Sequence, residues 1–326
     1  MRKIKRPLEV GLVLQHWTNG RGVAPAWKDL EERALLAESA GFDSIWLVDH
    51  LDFSRAQSSL SRGSGERARP DETERVDWVG LWECWTTLSA LASATSTVQL
   101  GTLVTCTAYR NPALLAKMAE TVHEISGGRL ILGLGAGDHQ SEFQTFGYGD
   151  QWDRKVSRFE EALQIICPLL RDGYVDFTGR YYSAPDCSLR PRANWNGGPA
   201  IMIGAREGGP RMLRLCAEYA DVWNGWVAYG RSRPDVVPPM RDAVDSACRS
   251  AGRDPATLAR TLTVGAALLG RRLGNAETID GTPEEIAAQL RSFADEGIGH
   301  VQIYLHPNRP EGINELAKAL EVLDRG

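Results

Sequence analysis

The sequence predicts an α/β fold, a closed parallel (β/α)8 barrel of the TIM type, on three observations. Apolar runs of strand length alternate with segments of helical period, and the alternation recurs about eight times along the chain. Most of these runs lack polar alternation, as expected of parallel strands covered on both faces. The chain has 326 residues, enough for such a barrel, which takes roughly 250 residues plus insertions.

The strands are expected at Glu9 to Leu14, Ser44 to Val48, Val98 to Val104, Leu130 to Leu134, Ala200 to Ile203, Asp221 to Asn224, Thr261 to Leu268 and Val301 to Leu305. Between them, Leu30, Ala34 and Ala37 mark one helix, and Phe159, Leu163, Ile166 and Leu170 mark another. Thr282, Pro283 and Glu285 make a helix start, with Thr282 as N-cap and Glu285 at the capping-box position. Ile313, Leu316, Leu320 and Leu323 mark the last helix. Two segments interrupt the alternation. Residues 51–77 are polar and rich in both charges, and read as a loop insertion above the second strand; residues 173–199 read as a short hairpin plus an irregular connection before the fifth. One barrel domain over residues 1–326 accommodates both.

Composition bounds the function classes. A hydrophobic fraction of 43%, a charged fraction of 24% and a net charge of -5 describe an ordinary soluble chain and argue against nucleic acid as the main partner. The opening MRKIKRPLEVGLVLQHW is basic, but its apolar run is short and broken by Gln15 and His16. It supports neither a signal peptide nor a membrane span, so a cytoplasmic location is expected. The six cysteines form no C-x-x-C pair and the six histidines no H-x-x-x-H pair. Reduced thiols and no metal site are the expectation.

The stretch from Arg129 to Gly147, RLILGLGAGDHQSEFQTFG, carries the strongest local signal. Gly133, Gly135 and Gly137 remove side chains where a flat ligand could lie along Gly135, Ala136 and Gly137, and Asp138, His139, Ser141 and Glu142 follow within reach. A tight strand-to-loop turn is the plain alternative. A dinucleotide fingerprint fails, because the position of its third glycine holds Asp138.

In a barrel of this kind the carboxyl ends of the strands share one mouth. They bring His16 and Trp17 from strand one, Asp49 and His50 from strand two, and Thr105, followed by Tyr109 and Asn111, from strand three. Strand six adds Trp223 and Trp226. His50 is the sharpest catalytic candidate, because histidine exchanges protons near neutral pH; a structural histidine is the alternative. After strand five, Gly208, Gly209 and Pro210 open a helix carrying Arg211, a start suited to phosphate or to an ordinary glycine-rich turn. The aromatic group His16, Trp17, Tyr109, Trp223 and Trp226 hints at an apolar or aromatic substrate, although tryptophans often serve packing alone.

Taken in order, GFDSIWLVDHL (residues 41–51), VQLGTLVTCTAYRNPALLAK (98–117), the glycine-ladder stretch from Gly127, FTGRYY (177–182) and IMIGAREGGPRMLRLCAEYADVWN (201–224) make the chain resemble the bacterial luciferase-like superfamily of flavin and deazaflavin enzymes. The resemblance implies a (β/α)8 barrel that binds coenzyme F420 or FMN at its mouth. It is nearest the deazaflavin-dependent branch, where the histidine after strand two acts on the substrate proton. That role falls to His50, with Asp49 as its cofactor-side neighbour and Asp138 as the acidic residue after the ladder. The resemblance also implies a non-proline cis peptide at Leu103–Val104 against the ring, with Thr105 and Asn111 beyond it. Gly204 and Ala205, with the turn at Gly208, Gly209 and Arg211, match the segment near the cofactor phosphate.

Three functions follow as expectations. The first is coenzyme F420-dependent hydride transfer to or from a small organic substrate, with His50 as acid or base. The second is an FMNH2-dependent monooxygenase served by a separate cofactor reductase. The third is a non-catalytic flavin-binding subunit. A homodimer is also implied, and Trp78, Trp82 and Trp85, at i, i+4 and i+7, read as one helix face for that contact or for core packing.

Overall fold

A computed structural model describes residues 6–19, 21–54, 78–193, 197–205, 209–274 and 276–325. Eight parallel strands form the barrel: β1 (Glu9–Val13), β2 (Ser44–Leu47), β3 (Gln99–Thr102), β4 (Leu130–Gly135), β5 (Ala200–Gly204), β6 (Val222–Trp226), β7 (Ala259–Ala267) and β8 (His300–His306). Each pairs with its neighbours in sequence, and Glu9 of β1 opposite His300 of β8 closes the ring. Helices α1 (Trp27–Ser39), α2 (Cys84–Ala94), α3 (Pro112–Ile125), α4 (Lys155–Asp172), α5 (Pro210–Tyr219), α6 (Val237–Ser250), α7 (Pro283–Asp295) and α8 (Pro310–Asp324) surround it. The expected capping box is present, with Thr282 Oγ1 accepting from the Glu285 amide and Glu285 Oε2 from the Thr282 amide.

The barrel closes because its strands sort their side chains by parity. Ile45 and Leu47 of β2 join the core against the helices, whereas Trp46 and Val48 point inward with Val13, Leu103, Ile131 and Met202. The Trp46 indole fills the interior where β1 and β3 carry Gly11 and Gly101, positions at which any Cβ would collide with it. Also buried, Asn224 Nδ2 donates to Gln302 Oε1 at 2.9 Å and to Thr261 Oγ1 at 3.0 Å. The barrel is thus a filled core with its open surface at the mouth.

Three departures from the sequence reading bear on the site. Strand β3 stops at Thr102, and pairing with β4 resumes only at Thr105–Cys106, so Leu103 and Val104 bulge between two short paired segments. Strand β6 runs on to Trp226, which lifts that side chain to the mouth. Trp78, Trp82 and Trp85 share no helix face. Trp78 lies in the strand Trp78–Gly80, Trp82 donates its indole N–H to Pro25 O, and α2 begins only after Glu83, whose carboxylate caps the Thr86 amide. The strand Asp52–Ser54 pairs with Trp78–Gly80, and most of the expected insertion at 51–77, residues 55–77, lies outside the described residues. The segment from Gly173 contains the expected hairpin, Tyr174–Thr178 with Ser183–Ser188. Among the described residues no helix is long and apolar enough to cross a membrane.

Candidate active site

The floor of the mouth is built from backbone. The Leu103–Val104 peptide is cis, as the resemblance implied, and Leu103 is buried inside the barrel while Val104 is half-buried at its rim. The Val104 side chain occupies the room left by two glycines. A Cβ on Gly135 would lie 2.6 Å from Val104 Cγ2, and one on Gly204 would lie 3.4 Å from both Val104 methyls. Gly137 has φ +87, a conformation that excludes ordinary side chains. The buried hydroxyl of Thr105 has no hydrogen-bond partner among the described residues. A bare, flat floor with one leftover polar atom fits a planar heterocycle laid over Val104, Gly135 and Gly204.

One wall of the mouth is a hydrogen-bonded proton system centred on His50. His50 Nδ1 donates to Glu142 Oε2 at 2.8 Å, and the fully buried Glu142 also accepts from Tyr109 Oη at 2.8 Å and from the Leu51 amide at 2.6 Å. His50 Nε2 lies 3.8 Å from Asp138 Oδ1, and His139 Nδ1 lies 3.0 Å from the same oxygen. The two imidazoles meet edge-on with centroids 4.7 Å apart. Burial alone would lower the His50 pKa. The hydrogen bond to Glu142 and the charges of Asp138, Glu142 and Asp49 outweigh it and raise the pKa to about 9. His50 is therefore protonated at neutral pH.

For Asp138 the balance runs the other way. Burial opposes ionisation, but the His139 hydrogen bond and the nearby charges of His50, His139 and Lys155 hold its carboxyl well below the usual range. It stands beside His50 as an anion, not as a proton donor at neutral pH. Lys155 Nζ meanwhile donates to Gly137 O at 2.8 Å and lies 3.8 Å above the Trp152 ring, which ties the end of the glycine ladder to α4.

A second ionic group anchors this wall. Arg110 grips Asp49 with two bonds, 2.6 and 2.9 Å, and Glu83 with a third at 2.6 Å. Asp49 Oδ2 also accepts from the Cys106 amide at 3.1 Å, so it binds the end of β2 to the segment just past the bulge. Burial lowers the Arg110 pKa, but the two carboxylates outweigh that and raise it further, keeping the guanidinium charged. Sequence reasoning missed Arg110 and left Glu142 without a role, because their partners Asp49 and His50 lie 61 and 92 residues away. For Glu142, the available signal was a carboxylate one helical turn beyond Asp138.

Several expected site residues have other work. His16 is fully buried, with its ring nitrogens 3.1 Å from Leu14 O and 3.0 Å from Val48 O. Burial outweighs those contacts and lowers its pKa to about 4, so a neutral ring with one N–H braces β1 against β2. Trp223 is fully buried against the helix layer, with its indole N–H on Ala205 O at 3.1 Å; the parity that sends Asn224 and Trp226 inward sends Trp223 outward. Tyr109 spends its hydroxyl on Glu142 and stacks on Tyr148 at 5.0 Å, so it is a support for the proton system. Asn111 caps α3 by accepting from the Ala113 and Leu114 amides. Arg211 is tied to Glu160 and Ser157 of α4, which leaves Gly204, Ala205 and the open turn at Gly209 as the remaining parts of the expected phosphate site; Gly208 lies outside the described residues. Trp17 and Trp226 are half-buried at the ends of β1 and β6.

His50, His139 and Glu142 each offer a donor atom, all within 4.8 Å of one another, the spacing of a metal site. His50 bonds Glu142 and His139 bonds Asp138, an arrangement that fits proton transfer directly.

The family model described as luciferase-like monooxygenase matches residues 8–272. The chain belongs to this family. It is 33% identical over 264 residues to the phthiodiolone/phenolphthiodiolone dimycocerosates ketoreductase of Mycobacterium tuberculosis, covering 79% of this chain and 64% of the relative. It is 31% identical over 225 residues to the 5,10-methylenetetrahydromethanopterin reductase of Archaeoglobus fulgidus, covering 69% of this chain and 56% of the relative. The chain thus spans less than two-thirds of the length of these curated relatives. In fold it is similar to an F420-dependent secondary alcohol dehydrogenase solved with an F420-acetone adduct, with a TM-score of 0.74 and 17% identity over 97% of this chain and 99% of that one. It is likewise similar to a monooxygenase from Streptomyces bottropensis, with a TM-score of 0.73 and 17% identity over 97% and 99%.

Proposed function

We propose that this luciferase-like protein is a coenzyme F420-dependent oxidoreductase that reduces a carbonyl group on a small organic substrate, with His50 as the proton donor. The observation that carries the reading is the His50–Glu142 pair. A carboxylate at 2.8 Å keeps the imidazole protonated to about pH 9, which suits giving a proton to a carbonyl oxygen better than taking one from an alcohol. The names of the ketoreductase and of the 5,10-methylenetetrahydromethanopterin reductase support the reducing direction, and the F420-dependent structural neighbour supports the cofactor.

The deazaflavin would be held over Val104, Gly135 and Gly204, with the Gly204–Ala205 segment and the Gly209 turn toward its phosphate. When bound in its reduced form, it supplies the hydride. Glu142 fixes the His50 ring through Nδ1, which leaves Nε2 and its proton on the side of Asp138. The Asp138 carboxylate stabilises the imidazolium before transfer. The Asp49–Arg110 pair holds the bulge segment in register with the histidine. Hydride transfer needs reacting atoms within roughly 3 to 3.5 Å, and these fixed elements supply that alignment.

A second reading, reduced-FMN-dependent oxygenation with a partner reductase, is favoured by the family model's description and the Streptomyces bottropensis neighbour. Anaerobic incubation with reduced F420 and a ketone panel decides between them. Cofactor oxidation and alcohol formation without oxygen support the proposal. Turnover only with reduced FMN and oxygen overturns it.

A further inference from the structure

Trp17, Trp226, Tyr229 and Tyr304 stand together at the ends of β1, β6 and β8, and the proton system makes no use of them. Tyr304 is nearly buried and acts as their hub. Trp17 lies 5.5 Å from it at 30°, Trp226 5.2 Å at 67°, and Tyr229 5.2 Å at 65°. Trp17, Trp226 and Tyr229 are each half-buried, so a rigid core of one ring holds three others partly open. The contacts of Trp226 and Tyr229 with Tyr304 are edge-to-face, a packing that fixes ring orientation. The same apolar cluster contains Leu103, Val104 and Val48, and so runs without a break from the aromatic wall to the bulge floor and to the residue two before His50.

Resting on the carbonyl-reduction reading above, we infer that this wall selects aryl ketones over aliphatic ketones of the same size. The ring system lies against Trp17 and Trp226, and the carbonyl faces His50. An aliphatic ketone of equal size fills the same space but forgoes the ring contacts.

The test is calorimetric binding to the deazaflavin-loaded protein of 2-acetonaphthone and the fully saturated 2-acetyldecalin. Cofactor loading is followed separately by deazaflavin fluorescence. The expected result is that 2-acetonaphthone binds about tenfold tighter than the saturated ketone, equivalent to about 1.4 kcal/mol. Trp226→Leu should abolish the aryl preference with cofactor affinity within twofold. Trp17→Leu provides the same test should Trp226→Leu not fold. Equal affinity for the two ketones overturns the inference, as does a Trp226→Leu protein that loses cofactor affinity while keeping the aryl preference. Failure of the cofactor to bind overturns the carbonyl-reduction reading instead; ketone quenching of tryptophan fluorescence in the cofactor-free protein then still tests the wall, with a retained aryl preference supporting it and an absent one overturning it.

Discussion

Replacing Glu142 with glutamine probes the proton system most sharply, because it keeps the shape of the side chain and removes its charge. In the native protein the His50 pKa rises from the ordinary 6.5 to about 9. At about 1.4 kcal/mol per pH unit, that is about 3 kcal/mol in favour of the imidazolium. Glu142 supplies the hydrogen bond and one of the charges, while Asp138 and Asp49 remain in the variant and burial still opposes them. The alkaline limb of the reduction rate should therefore fall from near pH 9 by about two pH units. At pH 8 the protonated fraction, and with it the rate, drops by about tenfold. Because the folded-state pKa lies above the unfolded one, the stability that this pair contributes is complete below about pH 6.5 and is lost as pH rises through about 9. The assay is anaerobic single-turnover reduction of a ketone by the loaded enzyme, followed by deazaflavin absorbance from pH 6 to 10, with thermal midpoints of both proteins. A limb that stays near pH 9 in Glu142→Gln, or a native rate that climbs with pH, refutes the reasoning.

Other outcomes follow from the same geometry. Asp49→Asn leaves Arg110 with Glu83 alone and breaks a buried bidentate pair, and urea unfolding should register a loss of about 3 kcal/mol. Gly135→Ala forces a methyl to within 2.6 Å of Val104 and should weaken deazaflavin binding by tenfold or more in a fluorescence titration, whereas Gly204→Ala, at 3.4 Å, asks far less of Val104 and should weaken it clearly less. Because His50, His139 and Glu142 already bond within the proton system, dialysis against a chelator should leave single-turnover rates unchanged; a loss restored by a divalent cation would make them metal ligands.

The barrel was legible because its strands are long apolar runs at regular intervals, a signal that survives without any contact information. The mouth was legible only where a residue's own position decides its direction. His50 follows directly from β2, and the glycine ladder follows from β4. Contacts across the mouth were not legible: Glu142 and Arg110 act through partners far away in sequence. Trp223 was a different failure, since it stands three residues before Trp226 on one strand and such residues face opposite sides. His16 looked free for substrate because the carbonyls that enclose it come from two different strand ends.

The most direct test of the central claim is an anaerobic titration of the purified protein with coenzyme F420 and FMN, each oxidised and reduced, followed by ketone addition. The account predicts preferential binding of the deazaflavin and its oxidation by ketone in the absence of oxygen, with the rate falling as pH rises through about 9. Preferential binding of reduced FMN, with substrate turnover only when oxygen is admitted, would contradict it.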